Sequence, residues 1–299
     1  MRVSVPLFLG FVLSLSVIHG AENARPPVAP RLSGIVNLSD RKVAVLEVPA
    51  DGLHRSEHSL ILSERQRDGE IEVVRILPER RAVKLNVYPQ KNLELSLTNT
   101  PADTTTNSFA LEFENASLEP VLALYSELSK RTLLRWPQLP GLSFSVFAPA
   151  ADQAAAALAL QRALNEKGLA TLPDGEKFTM IVPQQHAASL KPRSSEIKPL
   201  EALGSEMLPP GAIDFRGLHI HQVVLVYLDL CRRKLDQSVP MPPVKDDFIY
   251  FRTQTDLSRA EAIYALDTLL GWAGIKMVPS GESEMKPVRL DGTIENPAR

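Results

Sequence analysis

The sequence contains a single cysteine, Cys231, so no disulfide can form within the chain of 299 residues. The net charge is also small, −2 at pH 7. A chain with so little excess charge has no electrostatic reason to bind nucleic acid or an anionic membrane surface. Its stability must come from apolar cores, for which a hydrophobic content of 44% is ordinary.

Long hydrophobic runs are missing too, apart from one at the N-terminus. Residues 3–18 are mostly apolar and follow Arg2, and Ile18, His19 and Gly20 form an acceptable cleavage site. The run is shorter than the ~18–20 apolar residues that span a bilayer comfortably. We therefore predict a signal peptide at residues 1–20 and an exported protein of the bacterial periplasm. An uncleaved inner-membrane anchor stays open as an alternative, and membrane association is expected only in that case.

Proline is plentiful, with 24 residues, and it concentrates between the periodic stretches. Such stretches predict linkers. The linkers are expected at residues 21–30, 98–107 and 184–210. They leave a first piece at 31–97, a second at 108–183, a third at 211–291 and a tail at 292–299.

Two stretches of the chain follow the same pattern. "FENASLEPVLALYSELSKRTLL" begins at Phe113, and "FRGLHIHQVVLVYLDLCRRKLD" begins at Phe215. Each opens on an aromatic residue, continues with apolar residues at helical spacing and has a tyrosine twelve residues on, Tyr125 or Tyr227. The pattern predicts a duplicated structural module.

Capping and turn residues extend the match over both pieces. Ser117 is predicted to cap the first helix of the first copy, and Asp152 its second helix. In the second copy, Ser258 and Glu261 form a capping box. Gly168 and Gly274 mark equivalent helix ends, 106 residues apart. With the strand-like runs "FALEFE", "LSFSVFA" and "FTMIVP" and their counterparts, the order is β-α-β-β-α-β twice, an α+β fold.

The first copy resembles the periplasmic N-terminal modules of secretins, the outer-membrane channels of type II secretion and type IV pilus systems. The resemblance rests on "LEFENASLEPVLALYSELSKRTLL", "LSFSVFA" and "AAALALQRALNEKGLATLPDGEKFTMIVP". It implies a KH-like fold and docking to other secretion components. Secretins continue into a long, glycine-rich barrel region, which does not follow here, so the resemblance implies an accessory protein rather than the channel.

The first piece, residues 31–97, has a different pattern. Strand-like runs such as "KVAVLEV" and "EIEVVRIL" alternate with turns such as "PADG" and "RDGE". The pattern predicts a small β-barrel. It also resembles the periplasmic homology region of the inner-membrane protein that contacts secretin N-terminal modules.

These features predict a non-enzymatic docking protein of a type II secretion or type IV pilus-like apparatus. The expected partners are secretin-like or secretion-platform proteins, with self-association left open, and no cofactor is expected. The alternative is an envelope ligand-binding or signalling protein, similar to the short N-terminal domains of TonB-dependent receptors. Each module is expected to fold separately, so that loss of Leu122 or Leu266 unfolds one module and leaves the other.

Several motifs are weighed as chemical sites and set aside. "HRSEH" at His54–His58 matches an inverted zinc-peptidase motif, which needs a helix, but it stands between a turn and a strand-like run.

His219 and His221 are expected at a helix start, where side chains two apart diverge, so we predict capping or surface roles and no bound zinc. "GWAG" at 271–274 has the shape of a nucleic-acid clamp but ends a helix, and Cys231 has no histidine near it in sequence.

Overall fold

The computed structural model describes residues 29–37, 42–49, 58–88, 90–97, 110–149, 152–197, 206–244 and 248–290. The predicted signal peptide, the linker at 98–107 and the tail at 292–299 lie outside the described residues. The α+β class is confirmed, with 28% helix and 44% strand.

The N-terminal unit consists of two packed sheets. Its strands are β1 (Arg31–Asn37), β2 (Lys42–Val48), β3 (His58–Ser63), β4 (Arg67–Asp68), β5 (Ile71–Leu77), β6 (Ala82–Val87) and β7 (Gln90–Ser96). One sheet contains β1, β2 and β3, and the other has the order β4-β5-β6-β7. Ile35 and Leu46 point into the core between the two sheets, whereas Val36 and Val45 point to the opposite face. Both faces of these strands are buried, since residues 32–36 of β1 and residues 43–46 of β2 are all buried.

The first module follows directly. It consists of β8 (Ala110–Ser117), α1 (Leu118–Ser129), β9 (Thr132–Arg135), β10 (Ser143–Pro149), α2 (Gln153–Glu166), β11 (Leu169–Asp174) and β12 (Phe178–Pro183). Strands β8 and β10 pair antiparallel. On the other side of the two helices, β11, β12 and β9 form a three-stranded sheet in which β12 runs parallel to β9.

The second module repeats this arrangement. After the short helix α3 (Gln184–Ala187) and strand β13 (Met207–Leu208), its elements are β14 (Asp214–His219), α4 (Ile220–Cys231), β15 (Lys234–Leu235), β16 (Phe248–Arg252), β17 (Leu257–Ser258), α5 (Arg259–Trp272), β18 (Ile275–Pro279) and β19 (Glu284–Arg289). Strands β14 and β16 pair antiparallel, and β15, β19 and β18 form a three-stranded sheet with β15 parallel to β19. The duplication therefore extends to the strand pairing.

The predicted order β-α-β-β-α-β misses a strand after the second helix in each copy, and in the second copy it also misses the two-residue strand β17. The strands β11 and β18 follow the second helix directly and form a hairpin with the last strand. The residues of β11, "LATLPD", contain Pro173, and the last two of them belong to the turn "PDG" that the sequence predicts before the last strand. Pro173 is accepted because β11 is an edge strand.

Backbone details of the two copies also coincide. Asn115 in β8 and Gly217 in β14 are 102 residues apart, and both adopt left-handed backbone conformations, with φ of 48° and 79°. Both lie where the strand bulges against its partner. Lys130 and Arg232, also 102 residues apart, end α1 and α4 with φ of 52° in each case.

Most of the predicted helix caps are confirmed. The Asp152 side chain accepts a hydrogen bond from the Ala155 backbone N–H at 2.8 Å, and Ser258 and Glu261 form the capping box. The prediction for Ser117 is wrong in its detail. Its side chain makes no cap, and its backbone N–H instead donates to Glu47 Oε1 of β2 at 2.7 Å.

Two predicted boundaries lie inside packed structure. Strand β1 pairs with β8, which gives one five-stranded sheet of order β10-β8-β1-β2-β3 across the N-terminal unit and the first module. Within the predicted linker 184–210, Leu190 is buried in a core cluster with residues of both modules. The three pieces thus pack as neighbours with shared cores rather than as separate bodies.

Candidate docking surfaces

The residues of the zinc-peptidase motif do not form a described site. His54 to Glu57 lie outside the described residues, and His58 begins strand β3 rather than a helix. In the part of the chain that the structure describes, no group of three or more His, Cys, Asp or Glu side chains is placed to hold a metal ion.

The histidine pair lies at the start of α4, as expected, but its geometry differs from the prediction. His219 caps the helix, since its Nδ1 accepts a hydrogen bond from the His221 backbone N–H at 3.3 Å. The two rings do not diverge. They stack with centroids 4.8 Å apart and Nδ1 atoms 3.0 Å apart, and the edge of Phe248 packs against His219.

Cys231 lies in a polar cluster between α4 and α5. Burial raises the pKa of its thiol to about 11, and Tyr227 and Asp267 are its neighbours. Burial also raises the pKa of the Tyr227 hydroxyl, as does the nearby Asp267 carboxylate. A thiol that stays protonated at neutral pH is a poor nucleophile, so the cluster offers packing and hydrogen bonds rather than covalent chemistry.

The "GWAG" stretch ends α5 and leads into β18. Gly274 follows the helix with φ of 87°, and its backbone N–H donates to the Gly271 carbonyl at 3.0 Å. The second glycine therefore stops a helix, which is the role expected from the sequence.

The three units enclose a cleft of about 490 Å³. Its walls come from β3 of the N-terminal unit, from α1 and β9 of the first module, and from β14 and β16 of the second. Strand β3 is the end strand of the five-stranded sheet, so its outer edge borders the cleft without a ladder partner among the described strands. Ligand pockets commonly form at such junctions between units.

Charged side chains line this cleft in paired form. Arg135 forms a salt bridge with Glu119 and lies over the ring of Tyr250, with its guanidinium carbon 4.6 Å from the ring centroid. Asp214 lies 3.1 Å from the Arg216 guanidinium and 3.9 Å from that of Arg252. The cleft thus combines an open strand edge with paired charges, an arrangement suited to an extended polypeptide.

The two modules are held together by a buried carboxylate. Asp174, at the end of β11, is buried, and its Oδ1 accepts hydrogen bonds from the backbone N–H groups of Arg193 and Ser194 at 2.8 and 2.7 Å. The Tyr264 hydroxyl of α5 donates to its Oδ2 at 2.5 Å. Because three donors converge on one buried acid, this contact fixes the second module and its linker on the first.

The N-terminal unit itself is docked on the first module through a strand edge. Gly34, Ile35 and Val36 of β1 lie opposite Phe113, Glu112 and Leu111 of β8. Arg81 of the N-terminal unit forms a salt bridge with Glu112. Strands β2 and β3 of the same sheet cover the outer side of α1.

The approach of β1 to β8 depends on a glycine. A Cβ atom at Gly34 would lie 2.8 Å from Phe113 Cδ1 and 2.9 Å from the Glu112 carbonyl oxygen. No side chain fits there without a shift of the strands. Nothing in the stretch "RLSGIVN" signals this role of Gly34.

No helix among the described residues is long and apolar enough to cross a membrane. Comparisons with protein-family models, with curated proteins and with solved structures find no match to this chain.

Proposed function

We propose that the protein is a periplasmic, non-enzymatic docking component of a type II secretion or type IV pilus-like apparatus. Its two α+β modules would bind secretin-like or secretion-platform proteins. The proposal draws on the resemblance of the modules to secretin N-terminal modules.

One observation carries the docking proposal. The first module binds the sheet of the N-terminal unit through two surfaces. The edge of β8 pairs with β1, and the outer side of α1 packs against β2 and β3. Strand addition gives affinity through backbone hydrogen bonds, and the side chains that meet the helix give specificity. A module built in this way serves as a receptor for β-sheet partners.

The cleft is the proposed contact with the apparatus. An extended segment of the partner would add to the outer edge of β3 and would meet Arg252 and Arg216 on the opposite wall. Reversing one of these charges, as in Arg252→Glu, is expected to lower binding because it leaves Asp214 beside a second acid. Arg162→Glu is the matched control, since Arg162 is exposed on α2 and does not line the cleft.

The test is co-purification from bacterial envelopes with the secretin and platform proteins encoded in the same genome. We expect the unaltered protein and Arg162→Glu to recover the same secretion components, and Arg252→Glu to recover at least tenfold less. Equal recovery by all three proteins would show that the cleft is not the contact with the secretion components. Recovery of no secretion component by the unaltered protein would overturn the proposed function.

A second function is favoured by the size of the cleft. A volume of about 490 Å³ lies within the ~300–1,000 Å³ typical of small-ligand pockets. An envelope ligand-binding or signalling protein would use it for a small molecule. Native mass spectrometry of the protein purified from its own envelope separates the two functions, since a bound small molecule that Arg252→Glu loses would support the second.

A further inference from the structure

The second module repeats the receptor surface of the first but has nothing on it among the described residues. Strand β8 pairs with β10 on one edge and with β1 on the other. Its counterpart β14 pairs with β16, and no described strand pairs with its other edge. The part of β8 that β1 covers, residues 111–113, corresponds to residues 213–215 at the 102-residue spacing of the repeat.

The outer side of the helix beside this edge is also not covered by any described strand. Leu225 of α4 is 58% exposed. It stands where α1 has Ala123, which lies beside β3 in the wall of the cleft. A concavity of about 560 Å³ borders Leu225, Leu228 and Leu235. These residues correspond to Ala123, Ser126 and Leu133 of the cleft, so the concavity is the same feature of the module without its covering sheet.

We propose that the edge of β14 and the outer side of α4 bind a β-sheet of another protein, which adds an antiparallel strand to residues 213–215. This proposal rests on the docking function proposed above and assigns it a second site with a defined kind of partner. The occupant is a sheet rather than a single helix, because the same two surfaces of the first module are covered by β1, β2 and β3 of one sheet.

The first module also defines the chemistry of the added strand. Phe215 is the counterpart of Phe113, and Gly34 is the residue that lies opposite Phe113 without space for a Cβ atom. The partner strand therefore carries glycine opposite Phe215. Two residues further on it carries an apolar residue directed to the helices, as Val36 is directed in the first module. The apolar face of the partner sheet meets Leu225.

A synthetic peptide of residues 29–37, "APRLSGIVN", is the probe, because it contains the strand that fits the first module. In the full-length protein the β8 edge is already occupied by the chain's own β1. The outer edge of β3 is open as well among the described strands, but only at the β14 edge does Gly34 of the peptide lie opposite Phe215. Binding that depends on Gly34 therefore reports on the β14 edge. Ile35 lies opposite Glu112, whose counterpart is Asp214, so cysteines at Ile35 of the peptide and at Asp214 of the protein lie within disulfide range in the proposed register.

The experiment traps this contact by mild oxidation. We expect the Ile35→Cys peptide to form a mixed disulfide with the Asp214→Cys protein at least tenfold faster than with a Glu282→Cys control, an exposed position outside both surfaces. Adding Gly34→Val to the peptide is expected to abolish this preference, and Leu225→Glu in the protein is expected to reduce it. A matching Leu158→Glu variant, on the exposed side of α2, is expected to have no effect.

Equal trapping at positions 214 and 282, or trapping that does not depend on Gly34, would overturn the proposal. Either result leaves the cleft to its own test, because Arg252→Glu changes a side chain of β16 and keeps the backbone edge at residues 213–215. A secretion component that binds at the β14 edge would still be recovered by Arg252→Glu. Conversely, the protein could trap the peptide in the expected register and yet recover no secretion component. That result would support the proposed site on β14 and α4 and overturn the proposed role in a secretion or pilus apparatus.

Discussion

Asp267 is held on α5 between Tyr227 and Lys276, and burial raises the pKa of its carboxyl to about 6. The ordinary pKa of aspartate is close to 4. Between about pH 4 and pH 6 the folded protein therefore keeps a proton that the unfolded chain has lost. The free energy of unfolding falls as the pH rises through this range and stays at the lower level above it.

Replacing Asp267 by asparagine is predicted to remove this pH-dependent fall in the free energy of unfolding. Asparagine stays neutral and still accepts the Tyr227 hydrogen bond, so the variant should gain up to roughly 2–3 kcal/mol over the parent at pH 7 and little at pH 4. Melting temperatures from pH 4 to 8 measure the difference. Asp229→Asn, an exposed acid on α4, is the control. A difference between Asp267→Asn and the parent that is the same at every pH would refute the prediction.

Cys231 is predicted to react slowly with thiol reagents in the folded protein. Since burial raises the pKa of the thiol to about 11, only about one molecule in a thousand carries the thiolate at pH 8. Labelling with a disulfide reagent should be slow in buffer and fast in urea. A cysteine introduced at the exposed Leu225 should react rapidly under both conditions, and rapid stoichiometric labelling of the native parent would contradict the burial of the thiol.

Gly34 is predicted not to tolerate a larger side chain. Valine at this position forces β1 away from Phe113, and such overpacking costs about 1–3 kcal/mol. Urea unfolding should show that loss, and limited proteolysis should release the N-terminal unit more readily. Gly141→Val is the matched control, because nothing lies within 4 Å of a Cβ atom at that glycine. An equal loss of stability in Gly34→Val and Gly141→Val would mean that the close approach of β1 to β8 is not the cause of the loss.

At the scale of secondary structure, the two second helices of the modules differ in how much of their surface is buried. In α5, Ala262, Leu266 and Leu269 are buried in the shared core, and Tyr264 on another side packs against Phe178 of the first module. In α2 the counterpart of Tyr264 is Leu158, which is 47% exposed. A helix that is apolar on nearly all sides indicates burial from both directions, and the sequence of α5 has this property.

The sequence predicted the local elements well because their signals are local. The stripe of α1, the capping box of α5 and the 102- and 106-residue spacings all appear in the structure as expected. The contacts between units were not predictable in the same way. Strand β1 and strand β8 are separated by the linker at 98–107, and nothing in either sequence specifies which edge the other will meet. The role of the buried Asp174 was not predictable either. In the sequence it has the features of a turn residue, and its role depends on Tyr264 and the linker, which are distant in the chain.

At the scale of the molecule, the modules form a stack with a polar end. The face of β12 with Phe178, Met180 and Val182 is buried against the second module. The counterparts in β19 are Glu284, Lys286 and Val288, none of which is buried. Repeat proteins end their stacks with such polar faces. The second module therefore closes the stack at this sheet, and further partners are expected at strand edges and helix sides.

The shared core argues against the expectation that each module folds separately, which stays a prediction until the unfolding of the two modules is measured. Leu266 of α5 belongs to the same core cluster as Phe178 and Met180 of the first module. Leu122 of α1 belongs to a cluster that includes Val43 and Val45 of the N-terminal unit. Loss of either leucine is therefore expected to weaken the packing of a neighbouring unit as well as its own.

Leu266→Ala is accordingly predicted to destabilise the first module together with the second. The substitution should cost about 2–5 kcal/mol, because Leu266 is fully buried. Hydrogen exchange followed by mass spectrometry should show faster exchange in β12 as well as in α4 and α5, since all of them pack on this core. Leu85→Ala is the control, because its cluster lies between the two sheets of the N-terminal unit and includes no residue of the second module. If Leu266→Ala leaves exchange in β12 unchanged while α5 opens, the modules are energetically independent, and the buried Asp174–Tyr264 contact does not couple their folding.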